Sequence, residues 1–204
     1  DEYDNTIRDL FGVKLNVTER FPTELIGNSG FENSSNTLFL QSSLMERYIG
    51  AAQTVVDLAL PAEPSTSEHF RTRGLIFRNE LELNSSEEEA SSSVLSEFLT
   101  RAYRRPTTEQ ELLSAIQQFV EGRGNGLSYE EAIKQVIQSA LISPKFLLRV
   151  EVGKQFPEPY QVSDWELASR LSYFLWATMP DEELFDLARK GRLSDPVVLE
   201  EQVS

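Results

Sequence analysis

The pairs Thr108–Glu111, Ser128–Glu131 and Ser163–Glu166 each set a hydroxyl three residues before a glutamate, at the head of an apolar stripe. In such a pair the hydroxyl accepts from the third backbone N–H of a helix while the carboxylate accepts from the cap's own N–H. The stripes that follow have period near 3.6. They are Leu112, Leu113, Ile116, Phe119 and Val120; then Ala132, Ile133, Val136, Ile137, Ala140 and Leu141; then Leu167, Leu171, Phe174 and Leu175. A helix start coupled to a helix period leaves little room for anything but α-structure. A chain built this way is mainly α.

Other stops and starts fit the same grammar. Tyr3, Ile7, Leu10 and Phe11 predict a first helix over Glu2–Phe11, ended by Gly12. Leu44, Met45, Tyr48, Ile49, Ala52, Val55, Val56 and Ala59 predict a helix from about Ser42 to Leu60, ended by Pro61. Val94, Leu95, Phe98, Leu99, Ala102 and Tyr103 predict one from Ser93 to just before Pro106. Asp181 caps a short helix through Ala188, and Asp195–Pro196 opens another. Phe21–Pro22 and the Gly27–Gly30 cluster read as turns.

The exception is Pro61–Ser93, which opens on Pro, Glu and Ser and closes on a polar Ser- and Glu-rich run. Ile76, Leu81 and Leu83 alternate enough to suggest a small β-hairpin within a linker. The expected organisation is an N-terminal helical domain at 1–60, a linker or hairpin at 61–93, a helical bundle at 94–153 and the start of a third helical domain at 154–204. Short connections favour antiparallel packing of the middle helices. The first residue is Asp1, and Val203–Ser204 falls inside a helical pattern, so both ends read as cut from something longer.

Composition excludes several chemistries. The chain has no Cys, so disulfides, thiol nucleophiles, zinc–thiolate sites and the C-x-x-C-H haem attachment are outside it. Its net charge of −14 repels nucleic acid and anionic lipid over most of its surface. Solubility accounts for that charge; an acidic surface shaped for a basic partner is the alternative. No apolar run approaches the roughly 18 residues of a membrane helix, and no signal peptide is present in the segment.

The single histidine, His69, sits in the linker and reads as a surface loop residue, with a distal haem ligand as the sharper alternative. Asp4 with Asp9, and Asp181, Glu182 and Glu183 with Asp186, are the densest carboxylate groups. Most of the second group fall in a helix's first turn, so capping and solvation are the reading; an acid/base pair of the glycosidase kind is the alternative. Glu32–Asn33 reads as a turn, or as oxygen ligands for calcium in no EF-hand spacing. Arg101, Arg104 and Arg105 form a basic cluster in the last turn of a helix, complementing its negative end, with at least one expected to pair with a carboxylate; contact with an anion or a haem propionate is the sharper alternative. Trp165 and Trp176 lie 11 residues apart, three helical turns, and can share a face. With Tyr173 they give that helix aromatic area on most sides, which predicts burial against a partner surface. Core packing or an interface is the reading for the tryptophans, against a sugar platform. Trp165, Tyr173, Trp176, Arg101, Arg104 and Arg105 are therefore the candidate interaction residues. No catalytic constellation, cofactor site or metal site is legible.

Five runs resemble large planctomycete-type cytochrome-associated multidomain proteins, in the same order. They are EYDNTIRDLFG from Glu2, GFEN from Gly30, RAYRRPT from Arg101, LISPKFLLRVE from Leu141 and WELASRLSYFLWATMPDEEL from Trp165. The resemblance implies helical domains of unknown function within an exported, periplasmic or extracellular protein. It implies c-type haem in other parts of the polypeptide and none in this Cys-free segment, and it transfers no catalytic residue. The expected role is a noncatalytic scaffold or interaction segment. Its partners would be the remaining domains of the same polypeptide, or a second copy when isolated; nucleic acid and membrane insertion are not expected. A redox enzyme with its haem elsewhere, and a polysaccharide-acting or carbohydrate-binding protein, stay open.

Overall fold

The computed structural model describes residues 2–20, 42–77, 86–148 and 161–203. Among them every regular element is helical: the fold is mainly α. The turns at 21–36, Glu32–Asn33, and the expected strand residues Leu81 and Leu83 lie outside the described residues.

The first helix, α1 (Glu2–Phe11), buries Ile7, Leu10 and Phe11 on one stripe and stops at Gly12. Gly12 has φ +72°, a left-handed conformation that a Cβ disfavours, and its N–H closes the last turn on Arg8 O at 2.7 Å. The 3₁₀ turn Val17–Arg20 follows, tied back where Asp4 accepts from Thr18 N and Thr18 Oγ1.

Helix α2 (Ser42–Ala59) buries Ala52, Val55, Val56 and Ala59. Next comes α3 (Ser67–Ile76), a helix inside the stretch expected to be a linker, ending at the first of the expected hairpin residues, Ile76. Thr66 caps it by accepting from His69 N, so His69 belongs to a helical first turn and not to a loop. The helix was not legible in the sequence because it carries no apolar stripe of its own. It is held instead by contacts made after folding. Thr72 and Ile76, one turn apart, are both buried, and Thr72 Oγ1 donates at 2.9 Å to Phe11 O, a carbonyl orphaned at the end of α1. Arg73 pairs with Glu130 beyond it.

The bundle consists of α4 (Glu87–Tyr103), α5 (Glu109–Gly124) and α6 (Tyr129–Leu141). Helix α4 starts a turn and a half earlier than expected, because Ser86 and Glu89 form a capping box of their own. That extension matters for packing, since Ala90 and Ser91 are buried. Helix α6 is the centre: it packs on α2, α4 and α5, and Ala132, Ile133, Val136, Ile137, Ala140 and Leu141 are all buried. Each buried Ile, Val or Leu of this set contributes about 1.5–3 kcal/mol over leaving it in water. After α6, Ser143 caps the short α7 (Pro144–Leu147), with Pro144 at its first position.

Helices α8 (Asp164–Trp176), α9 (Glu182–Arg189) and α10 (Pro196–Val203) complete the described chain. Ala168, Leu184, Ala188 and Leu193 form a small core of their own, apart from the large one shared by α1–α7, Met179 and Phe185. Trp165 packs against both cores and lies 5.9 Å from the ring of Phe185.

Candidate functional site

The polar side of α1 is only partly open to water. Asn5 Nδ2 donates to Ala177 O at 3.2 Å, and Asp9 Oδ2 accepts from Thr178 Oγ1 at 2.6 Å. Between them Thr6 is buried; its hydroxyl donates to Glu2 O at 2.8 Å, leaving Thr6 Oγ1 to accept from the Tyr173 hydroxyl at 2.8 Å. Asn5, Thr6 and Asp9 thus clasp the turn that follows α8. Ala177 closes α8 in a left-handed conformation (φ 52°), which aims Thr178 at α1 and turns Met179 into the large core.

Tyr173 also meets Arg104. This arginine is buried, and it is the C-cap of α4 with φ 58°. It does not serve the end of its own helix, as its position in the last turn suggested. Its Nη2 donates to the carbonyls of Lys145, Phe146 and Leu148, at 2.9, 3.1 and 3.2 Å. The left-handed cap throws the side chain across to α7, whose carbonyls have no helical continuation to accept from. Its guanidinium lies 6.0 Å from the Phe146 ring and 5.8 Å from the Tyr173 ring, with Nη1 3.5 Å from the Tyr173 hydroxyl. A planar cation with five donors suits a place between two rings and a run of carbonyls.

Arg101, one turn earlier, donates to Asp9 O at 3.0 Å and stands 3.8 Å from Glu182. It opens onto a cleft of about 700 Å³. Arg8, Asp9 and Gly12 form one wall of that cleft, and Trp176 and the residues 178–182 form the other. Arg8 holds Asp9 through two hydrogen bonds, at 2.6 and 2.9 Å. Burial raises the Asp9 pKa, but the bonds from Arg8 and Thr178 and the charges of Arg8 and Arg101 outweigh it and hold the carboxyl below its usual range. Asp9 is thus a fixed anion and a poor proton donor.

The sequence candidates separate here. Arg101 and Trp176 line the cleft, with Tyr173 and Arg104 behind it. Arg105 lies elsewhere, donating to Glu111 at 2.7 and 2.9 Å. Trp165 sits between the two cores while Trp176 is 51% exposed. The two indoles share a helical face, but 11 residues separate them by about 16 Å along the axis, so they meet different surroundings. The aromatic helix is open at its end, where Phe174 is 86% exposed and Leu175 partly so. Asn5, Thr6, Asp9 and Thr178 were not singled out as a junction. Their one sequence signal is Asn5 and Asp9 a helical turn apart, a spacing shared by any solvated face.

The other chemical candidates disperse as well. Asp4 is engaged by Thr18, Asp181 caps α9 by accepting from Leu184 N at 2.9 Å, and Asp186 pairs with Arg189. His69 Nδ1 accepts from Ser65 N. No cluster of metal-ligating side chains occurs among the described residues, and no helix among them is long and apolar enough to cross a membrane.

Comparison with known families places this geometry. Residues 1–61 match PSD3, a protein of unknown function (DUF1587); residues 90–151 match PSD5 (DUF1595); residues 162–204 match PSD4 (DUF1592). The chain carries a PSD3, a PSD5 and a PSD4 domain, in that order. No curated protein and no solved structure matches it. Helix α1 belongs to PSD3, Arg101, Arg104 and α7 to PSD5, and Tyr173, Trp176 and Thr178 to PSD4. The clasp and the cleft therefore lie where all three domains meet.

Proposed function

We propose that the PSD3–PSD5–PSD4 segment is a noncatalytic helical scaffold, an interaction segment of an exported cytochrome-associated protein. The observation that carries this reading is the three-domain junction of Thr6, Tyr173 and Arg104. Its polar groups are spent on one another, which serves rigidity, and the Asp9 carboxylate is fixed in its ionised form, which suits structure better than proton transfer. The haem context rests on the domain set and on the resemblance of its motifs to planctomycete-type cytochrome-associated proteins. In this reading c-type haem resides in other parts of the polypeptide, and the protein works in the periplasm or outside the cell.

One feature favours the carbohydrate-binding or polysaccharide-acting alternative: the cleft sets an open indole beside Asp9, Asp181 and Glu182. Purifying the protein with its native flanking sequence, after cell fractionation, tests the main reading. Recovery from the periplasm or medium with covalent haem supports it. Recovery from the cytoplasm, or a haem-free polypeptide with glycan-cleaving activity, overturns it.

A further inference from the structure

We infer that the cleft between α1, α4 and the α8–α9 turn docks a basic, partly apolar segment of a protein partner, with a lysine or arginine side chain lying over Trp176 beside Glu182. The inference rests on the scaffold reading and names the chemistry of what that scaffold holds.

The apolar part comes from α8. Phe174, Leu175 and Trp176 are consecutive, large and exposed at 86%, 37% and 51%, and Trp176 is the one that opens into the cleft. An indole left half in water forgoes part of its burial energy, and its face is the best of the aromatic surfaces for a cation.

Charge selects the occupant. The cleft's own cations are already committed: Arg8 grips Asp9 with two hydrogen bonds, and Arg101 donates to the Asp9 carbonyl. The anionic rim keeps one charge to spare: three carboxylates, Asp9, Asp181 and Glu182, face two guanidiniums, Arg8 and Arg101. Glu182 pairs with Arg101 only at 3.8 Å and its side chain is 69% exposed, while Asp181 uses one oxygen on the Leu184 N–H. Both carboxylates sit at the start of α9, on the open side of the cleft. A chain of net charge −14 attracts a cationic partner and repels an acidic ligand or a second copy of itself.

The test titrates the chain calorimetrically with a synthetic peptide alternating leucine and arginine. The same peptide with glutamate for arginine, and a neutral glucan oligosaccharide, serve as comparison probes. Binding of the arginine peptide alone is expected. Trp176→Ala should weaken it about tenfold, the loss of a desolvated cation–π contact, and Glu182→Gln about threefold. Glu109→Gln removes the same charge from an exposed site outside the cleft and should change nothing. Near-ultraviolet signal from Trp165 reports whether Trp176→Ala stays folded, and Glu182→Gln carries the test if it does not. Equal weakening by Glu109→Gln would reduce the binding to bulk charge and overturn the inference. So would no effect of the two cleft variants, preferential binding of the oligosaccharide, or a wild-type dimer in sedimentation that Trp176→Ala dissolves. None of these outcomes touches haem content or cell location, so the scaffold reading stands or falls separately.

Discussion

The Tyr173 hydroxyl donates to Thr6 Oγ1 at 2.8 Å across 167 positions of sequence, joining the PSD4 domain to the PSD3 domain. Thr6 is buried, so the bond is made in a place where water competes poorly. Tyr173→Phe is expected to cost about 1 kcal/mol, read as a thermal midpoint lower by about 2–4 °C. Thr6→Val should cost a similar amount. The double variant should cost clearly less than the two together, because both remove one bond. Additive losses in the double-mutant cycle would show that the contact carries no coupling.

Arg104 combines two opposed contributions. Its left-handed backbone disfavours any side chain by about 1 kcal/mol, while its guanidinium satisfies three carbonyls around α7. Arg104→Ala keeps the strain and loses the bonds, for an expected loss on the order of 3 kcal/mol in urea denaturation. Arg104→Gly relieves the strain and should lie between alanine and wild type. Arg104→Lys should recover little, because an ammonium cannot stack flat between Phe146 and Tyr173 while donating to three acceptors. A glycine variant as stable as wild type would mean that the bonds to α7 are worth no more than the strain.

These two residues show where sequence reading stops. The boxes at Thr108, Ser128 and Ser163 formed as read, because a cap and its glutamate are neighbours whose bond needs no other part of the chain. The box at Ser86–Glu89 obeys the same rule but sits inside a polar run, where low hydrophobicity hid it and placed the start of α4 at Ser93. Helix α3 was misread for a different reason: what holds it is the Phe11 carbonyl and Glu130, both far away in sequence. The junction was half legible. Tyr173, Arg101 and Arg104 stood out as large or charged residues, whereas Asn5, Thr6 and Asp9 look like an ordinary solvated helix face until α8 is laid against them.

Glu111 links acid stability to one capping box. Two hydrogen bonds from Arg105 hold its pKa far below the usual carboxylate range; burial opposes them, and Lys145 and the Thr108 cap add to them. The folded state therefore gives up this proton more readily than the unfolded one. The stabilisation is complete above the ordinary glutamate value of about 4.3 and is lost as pH falls below it towards the depressed folded value. Glu111→Gln should lower stability at neutral pH by about 1–2 kcal/mol and narrow its deficit as the medium is acidified. Denaturant midpoints taken across the acid range check this, and a deficit that stays constant with pH would refute it.

The PSD4 helices should be the first part of the chain to open. Their own core is Ala168, Leu184, Ala188 and Leu193, too little apolar area to offset the entropy of ordering three helices. What seats them on the larger body is Trp165, which touches both cores, Phe185 at 5.9 Å from it, Met179 in the large core, and the clasp on α1. Helix α6 is placed oppositely, buried against three other helices. Amide hydrogen exchange should therefore show α8 and α9 protected by less than the global unfolding free energy, and α6 by nearly all of it. Trp165→Ala removes the contact between the cores and should cost about 2–3 kcal/mol, less than a fully buried aromatic would because Trp165 is only partly enclosed. That loss should appear as roughly hundredfold faster exchange at Leu184 and Ala188, while Ile133 and Ile137 change little. Equal acceleration in both sets would instead mean that the chain opens only as a whole, with α8–α10 as firmly seated as the bundle.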